Sequence, residues 1–346
     1  MNAVRYLLCF LLGGAMICTA ACIVLLLQHP DHPCSSFIGV VPGLKELALA
    51  NGKVEADPSE KKPGVAKGDD DKLPELLRRA ALEDNDKTII ITFTNEAWAA
   101  PGSLMDLFLE SFREGVRTQP LLKHLLIVAI DGKAFERCQQ VHPLCYALPV
   151  DGVNFQQEQP YMARNYVDML WRRNRFQAHV LRLGYSFIFT DVDIVWFRNP
   201  LLRIPVGTDF AMACDTFYGD NPYDLDKRAN GGFVYARANA RTLAFYDDWY
   251  ASRVAYPGQH EQFVYDKVKH ELAARHAGVA PQFVDTAYLG GFCERGRRRD
   301  FEKLCTFHGN CLVGLKTKLE RLRGVLDEWK RFKAAKQMGS NGTVAY

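Results

Sequence analysis

The sequence predicts an α/β fold: a mostly parallel sheet flanked by helices, preceded by one transmembrane helix. Three observations carry this. The stretches KTIIITFTN, HLLIVAID and FIFT are apolar almost throughout, as strands buried on both faces are. Helical patterns alternate with these strands in β-α-β-α order, the arrangement that parallel crossovers produce. Leu7 to Gln28 is an uncharged run long enough to cross a bilayer core.

From the N-terminus, residues 1–6 form a short cytoplasmic tail and 7–28 a signal anchor. Arg5 and the α-amine precede the run, which favours a cytoplasmic N-terminus and a lumenal body. A cleaved signal peptide is the weaker reading, because IVLLL continues past the small residues at Cys18–Ala21. Residues 29–72 begin at Pro30 and Pro33 and end in GVAKGDDDK, too polar to order themselves, so they read as a flexible stem. The folded domain is expected over 73–335, with a tail at 336–346.

LPELLRRAALED reads as a short amphipathic helix before the first strand. PGSLMDLFLESFREGVR reads as a helix with Pro101 in its first turn, and KAFERCQQVH as a helix after the second strand. YMARNYVDMLWRRNRFQAHVLRLG is a long helix stopped by Gly184, leading into FIFT. GTDFAMACDTFYGDNPYDLDKRANGGFVYAR suggests strand, long loop, strand; NARTLAFYDDWYASR and HEQFVYDKVKHELAAR are helical. The last third ends in a basic amphipathic helix.

Apolar content of 48% supports a sizeable core, and a net charge of +3 is too small to argue for a nucleic-acid partner. Of ten cysteines, Cys9, Cys18 and Cys22 lie in the apolar run and the other seven follow it, where an oxidising lumen would preserve disulfides. Cys138 and Cys145 are close enough for a local closure, as are Cys293, Cys305 and Cys311; the pairing stays open. With no C-x-x-C pair, a zinc site is not expected. One glycosylation sequon begins at Asn341.

Ligands of parallel sheets sit at the carboxyl ends of the strands, where Asn95, Asp131 and Asp191 fall. Neither G-x-G-x-x-G nor G-x-x-x-x-G-K-[ST] is present, so dinucleotide and P-loop readings lack their fingerprints. Asp191 and Asp193 stand one residue apart after FIFT, where strand periodicity would put both on one face. Two like charges so close call for a cation, and a hard Mg²⁺ or Mn²⁺ shared with a substrate's phosphates suits two carboxylates, the other reading being structural or solvated acids at an exposed strand end.

FTDVDIVWFRNP, NEAWAAPGSLMDLFLESF, KHLLIVAIDGKAFERC, HEQFVYDKVKHEL, FVDTAYLGGFC and CTFHGNCLVGLKTKLERLRGVLDEW together resemble the plant nucleotide-diphospho-sugar transferases of glycosyltransferase family 77. The resemblance covers residues 85 to 330. It implies a GT-A fold with a Rossmann-like sheet, a single-pass type II Golgi membrane protein, Mn²⁺ (or Mg²⁺), a UDP-sugar donor and retention of configuration. Relatives transfer arabinose to hydroxyproline-linked chains or xylose to pectin, which points to cell-wall or glycoprotein synthesis and a glycan or glycoprotein acceptor. HGNCLVGL departs from the HANCC of many relatives and leaves the donor sugar open.

By that resemblance, His308 is the third metal ligand, against a plain surface or core histidine. Lys316 and Lys318 would lie near a diphosphate, or on a solvated helix face. Thr94 and Asn95 would face the nucleotide base and ribose, with Asp131 a further acceptor, though each could instead cap a following helix. Arg175 matches a donor-side helix position, with a surface role as the alternative. Asn230 precedes two glycines that permit close backbone approach, as a plain turn also would. Glu261, Gln262 and Asp285 are the candidates for sugar hydroxyls or catalysis, Glu261 being otherwise an exposed first-turn acid.

Two other readings exist. DVDIV and GDNPYD formally fit haloacid-dehalogenase phosphatase motifs, but the first should then open the domain. A membrane-anchored sugar-binding protein without turnover would explain the fold and not the paired carboxylates.

Overall fold

A computed structural model describes residues 72–148 and 164–341, all within one compact unit. The expected membrane span and nearly all of the stem, including Cys34, lie outside the described residues. Among the described residues no helix is long and apolar enough to cross a membrane.

Helix α1 (Leu73–Ala80) leads to strand β1 (Ile89–Thr94). The short α2 (Glu96–Ala99) and α3 (Leu104–Glu114) follow, then β2 (Leu125–Ala129), α4 (Gly132–Val141) and β3 (Cys145–Ala147). Helix α5 (Arg164–Arg182) delivers β4 (Phe187–Thr190), which is followed by β5 (Ile194–Trp196), β6 (Phe210–Cys214) and β7 (Ala229–Ala236). Helices α6 (Ala240–Ala251) and α7 (Glu261–Arg275), strands β8 (Gln282–Phe283), β9 (Leu289–Gly291) and β10 (Thr306–His308), and helix α8 (Leu315–Asn341) complete the chain.

Seven strands form one sheet in the order β3-β2-β1-β4-β7-β6-β8. All run one way except β7, which is antiparallel to both its neighbours. The apolar strands are explained by burial on both faces. Ile89, Ile91 and Phe93 of β1 point into one core with Leu126, Val128, Phe187 and Phe189. Ile90 points into the opposite core with Leu125, Ile127 and Ile188, as a two-residue repeat dictates. The first core is completed by residues of α1, α5, α6 and α7, the second by those of α3, α4 and α8.

Three details differ from expectation. Helix α3 starts at Leu104, because Gly102 takes a left-handed φ of +77° and turns the chain after Pro101. Helix α8 runs to Asn341, past the expected boundary at 335. A second sheet, β5-β10-β9, was not foreseen; its strands are three residues each, too short to show a period. Disulfides join Cys138 to Cys145 and Cys293 to Cys311. Cys214 and Cys305 stay reduced and buried, and burial pushes the Cys214 thiol up to about 12, as in an inert core residue.

Candidate metal and donor site

The site forms where the chain leaves the large sheet for the small one. Strand β4 ends at Thr190, and Asp191 to Asp193 make the turn into β5. The pair therefore does not share a strand face. A turn brings the two acids together, closed by the Ile194 amide donating to the Asp191 carbonyl at 3.2 Å. Strand β10 then pairs with β5 so that His308 lies opposite Ile194.

This register brings the three side chains into contact. His308 Nε2 is 3.2 Å from Asp193 Oδ1 and 3.7 Å from Asp191 Oδ2. One ligand atom from each of Asp191, Asp193 and His308 lies within 4.8 Å of the others, a compact O,O,N donor set. Two carboxylates and an imidazole fit Mn²⁺ or Mg²⁺ better than a thiophilic ion. The surrounding backbone is shaped for the cluster. Strand β7 slips register against β6 after Met212, leaving Gly231 and Gly232 out of that pairing. The Gly232 carbonyl accepts the Asp191 amide at 2.7 Å. A Cβ on Gly232 would lie 2.3 Å from His308 Cε1 and 2.9 Å from Asp191 Oδ2.

Two cations hold the acids. Lys318 donates to Asp193 Oδ2 at 2.5 Å from the first turns of α8. Arg173 on α5 donates to Asp191 Oδ1 at 2.8 Å and to Glu261 Oε1 at 2.5 Å, its guanidinium 4.4 Å from the Phe189 ring. Burial alone would push Asp193 up, but Lys318 and then His308 outweigh it and hold its carboxyl well below the usual range. Burial pushes Asp191 up against the pull of Arg173, and the neighbouring Asp193 charge adds to the rise.

The other predicted residues divide. Asn230 on β7 lies beside the cluster, donating to Asp215 Oδ1 at 2.7 Å and accepting the Gly232 amide at 3.0 Å. Gln262 accepts the Gly231 amide at 2.8 Å and so fixes the glycine pair. Glu261 is not an exposed first-turn acid: it is 4% exposed and paired with Arg173. Asn95 and Asp131 do sit at strand ends, and both cap helices, accepting from Trp98 N at 3.0 Å and Ala134 N at 2.8 Å. Asp131 also accepts the Glu96 amide at 2.8 Å. Thr94 is buried at the end of β1.

Three candidates fall outside the cluster. Arg175 pairs with Asp247 at 2.8 Å and lies over Tyr250, so the helix arginine at the acids is Arg173, two residues earlier. Lys316 is exposed and faces Glu320 at 3.9 Å, which leaves Lys318 as the lysine at the site. Asp285 accepts from its own turn at Ala287 and from Arg297. Sequence reading missed Arg173, Asp215 and Asn310. Asn310 donates to Asp215 Oδ1 at 3.3 Å, so one carboxylate links Asn230 to the loop after His308. The signal for Arg173 was helical phase: it shares the inward face with Leu170, Asn174 and Gln177, which Arg175 does not.

A sheet edge carrying a candidate cation donor set between an arginine and a lysine is suited to a phosphate-bearing substrate. The chain belongs to the nucleotide-diphospho-sugar transferase family, whose model matches residues 120–322, and it is a glycosyltransferase. The phosphatase reading is thereby removed; Asp224 of GDNPYD lies in the β6–β7 loop, paired with Lys227 at 3.0 Å. An uncharacterized Arabidopsis thaliana protein is 43% identical over 265 residues, covering 76% of this chain and 69% of that protein. A second from the same plant is 35% identical over 270 residues, covering 77% and 80%. The beta-arabinofuranosyltransferase RAY1 of Arabidopsis thaliana is 31% identical over 170 residues, 43% of this chain and 32% of its own length.

Among solved structures, a glycosyltransferase involved in glycosylation of the major capsid of PBCV-1 matches with a TM-score of 0.41 and 12% identity, covering 68% of this chain and 98% of that one. Mouse xyloside xylosyltransferase 1 matches with a TM-score of 0.39 and 12% identity, covering 66% and 99%.

Proposed function

We propose that the protein is a metal-dependent, retaining GT-A enzyme that moves a pentose, arabinose or xylose, from a UDP-sugar to a glycan or glycoprotein acceptor. The observation that carries this is the convergence of Asp191, Asp193 and His308, from both sheets, between Arg173 and Lys318. The pentose is supported by the stretch related to RAY1, which is named an arabinofuranosyltransferase. We place the domain in the Golgi lumen behind the anchor Leu7–Gln28.

Asp191, Asp193 and His308 would hold Mn²⁺ or Mg²⁺, which when bound neutralises charge developing on the departing diphosphate. Arg173 aims Asp191 and carries its buried positive charge to the same edge. Lys318 does the same for Asp193, so a diphosphate would meet two fixed cations as it leaves. Gly231 and Gly232 keep side chains off the floor of the site, and Gln262 fixes their backbone. The Asp215 carboxylate, oriented by Asn230 and Asn310, is placed to accept from a sugar hydroxyl.

The test is UDP release by the full-length chain in sealed microsomes from UDP-arabinofuranose, UDP-xylose and UDP-galactose with Mn²⁺. Hydrolysis is expected for a pentose donor, stopped by EDTA and latent until detergent opens the lumen. No release from any donor, beside tight glycan binding, would establish the non-catalytic sugar-binding protein instead. Full activity without detergent would overturn the lumenal placement.

A further inference from the structure

The chain between β9 and β10 contains RGRRRD, residues 295–300, whose charges the donor chemistry does not use. Arg295, Arg297 and Arg298 are exposed, and 295–300 belong to no helix or strand. Exposed backbone of this kind can be drawn out straight and laid across a protease cleft. The side chains sort the segment further. Arg299 is half-buried and grips Glu328 through two nitrogens, at 3.1 Å and 2.8 Å. Arg297 meets Asp285 and Glu294 at 3.3 Å each from a side chain open to solvent, and such pairs open readily. Arg295 and Arg298 form no ion pair among the described residues.

Adjacent basic residues recur elsewhere among the described residues, but there the fold locks them. Arg78-Arg79 lies in α1, Arg172-Arg173 in α5 and Lys330-Arg331 in α8. In Lys227-Arg228 the lysine is fully buried, donating to the Asn221 carbonyl at 2.8 Å and to Asp224 at 3.0 Å. The segment is also bracketed. The Cys293–Cys311 disulfide spans it, and β10 beyond it pairs with β5, which lies before it in the chain. A break inside the bracket leaves both ends tied to the fold.

We propose that residues 295–298 are a processing site for a subtilisin-type endoprotease that reads paired basic residues, cut between Arg298 and Arg299. The carboxylate-lined pockets of such an enzyme suit guanidinium forks at the residue before the cut, at the one preceding it and two further back. Those positions are Arg298, Arg297 and Arg295. Water adds to the Arg298 carbonyl carbon and the bond to the Arg299 nitrogen breaks, leaving an Arg298 carboxylate and an Arg299 amine. The product is a two-chain protein joined by Cys293–Cys311. Asp191 and Asp193 stay on the first chain, and His308 and Lys318 on the second, so the candidate donor set is then shared between them. Meeting such a protease rests on the lumenal placement proposed above; transferase activity is not required.

The test is digestion of the full-length chain in detergent with kexin, followed by N-terminal sequencing. A fragment beginning at Arg299 is expected, separating from the rest only on a reducing gel. Arg298→Ala should stop this cut and Arg295→Ala slow it by about tenfold, both with unchanged melting temperatures before digestion. The cut protein should melt at a temperature independent of its concentration. After reduction its melting temperature should fall on dilution, because the disulfide alone fixes the effective concentration of one chain at the other. Uncut, reduced protein should show no such dependence.

Survival of this bond under conditions that cut it in the urea-unfolded chain would overturn the site. A fragment beginning at Asp300 instead would overturn the choice of bond. Equally fast cutting after Arg79, Arg173 or Arg331 would overturn exposure as its cause, and fragments that part without reductant would overturn the two-chain product. The chain recovered from cells expressing it should already carry Arg299 as a second N-terminus, and an intact chain there would overturn processing. Protection of the same chain from added protease in sealed microsomes shows whether the lumenal placement fails with it.

Discussion

Gly232 shows how closely the site is fitted to single atoms. Its missing side chain is what lets His308 and Asp191 approach, since a Cβ would stand 2.3 Å from the His308 ring and 2.9 Å from an Asp191 oxygen. Gly232→Ala must displace one of these ligands, because the glycine backbone is itself pinned by Asp191 N and by Asn230. We expect metal affinity, read by calorimetry, to fall by about 10–100-fold, the loss typical when the support of a metal ligand is removed. The atoms a new methyl would meet belong to His308 and Asp191, so far-UV circular dichroism should be unchanged. Unaltered metal affinity would mean that the donor set does not include both residues. Gly231→Ala is the milder comparison: its Cβ would sit 3.3 Å from Glu261 Oε1, which leaves the ligands untouched.

At the scale of elements, α8 braces the small sheet. Trp329 is fully buried, packs tilted against Phe197 beyond β5 with ring centroids 4.9 Å apart, and donates to the Glu114 carbonyl of α3 at 3.0 Å. Arg323 and Lys330 reach Glu110 on α3, and Lys333 reaches Glu114. Truncation in Trp329→Ala removes an aromatic core and an indole hydrogen bond together, an expected cost of about 3–5 kcal/mol in chemical denaturation. A loss under about 1 kcal/mol would show that α8 is peripheral. The same region marks where sequence reading ran out. Strands β1, β2 and β4 were legible because burial on both faces leaves an unbroken apolar run. Strands β9 and β10 were not, since LGG and TFH carry no period and are defined only by pairing, β10 with β5 and β9 with β10. His308 was accordingly reached through a family motif, whereas Asp191 and Asp193 were legible as charges the apolar run could not explain. Arg173 was legible only through helical spacing, since it lies on the buried face with Leu170, Asn174 and Gln177 while the motif match fell on Arg175.

Across the whole molecule, the candidate donor set gathers residues from both sheets. Asp191 follows a strand of the large sheet, Asp193 immediately precedes the edge strand of the small one, and His308 ends its middle strand. An unfolded chain has no such set, so a cation that binds here stabilises the folded domain as a unit. By mass action, Mn²⁺ at a hundred times its dissociation constant adds about 2.7 kcal/mol. The melting temperature of the full-length chain should therefore rise with Mn²⁺ and return to its starting value with EDTA. Asp193→Asn keeps the volume of the side chain and its bond to the Gly309 amide, which goes to the Asp193 carbonyl at 2.9 Å, but removes the anionic ligand. That variant should melt at a temperature independent of Mn²⁺. An equal rise in both proteins would place the ion elsewhere, and a rise in neither would leave Arg173 and Lys318 as the sole counter-charges for the acids. The readout needs no donor, so it separates the metal site from the identity of the sugar.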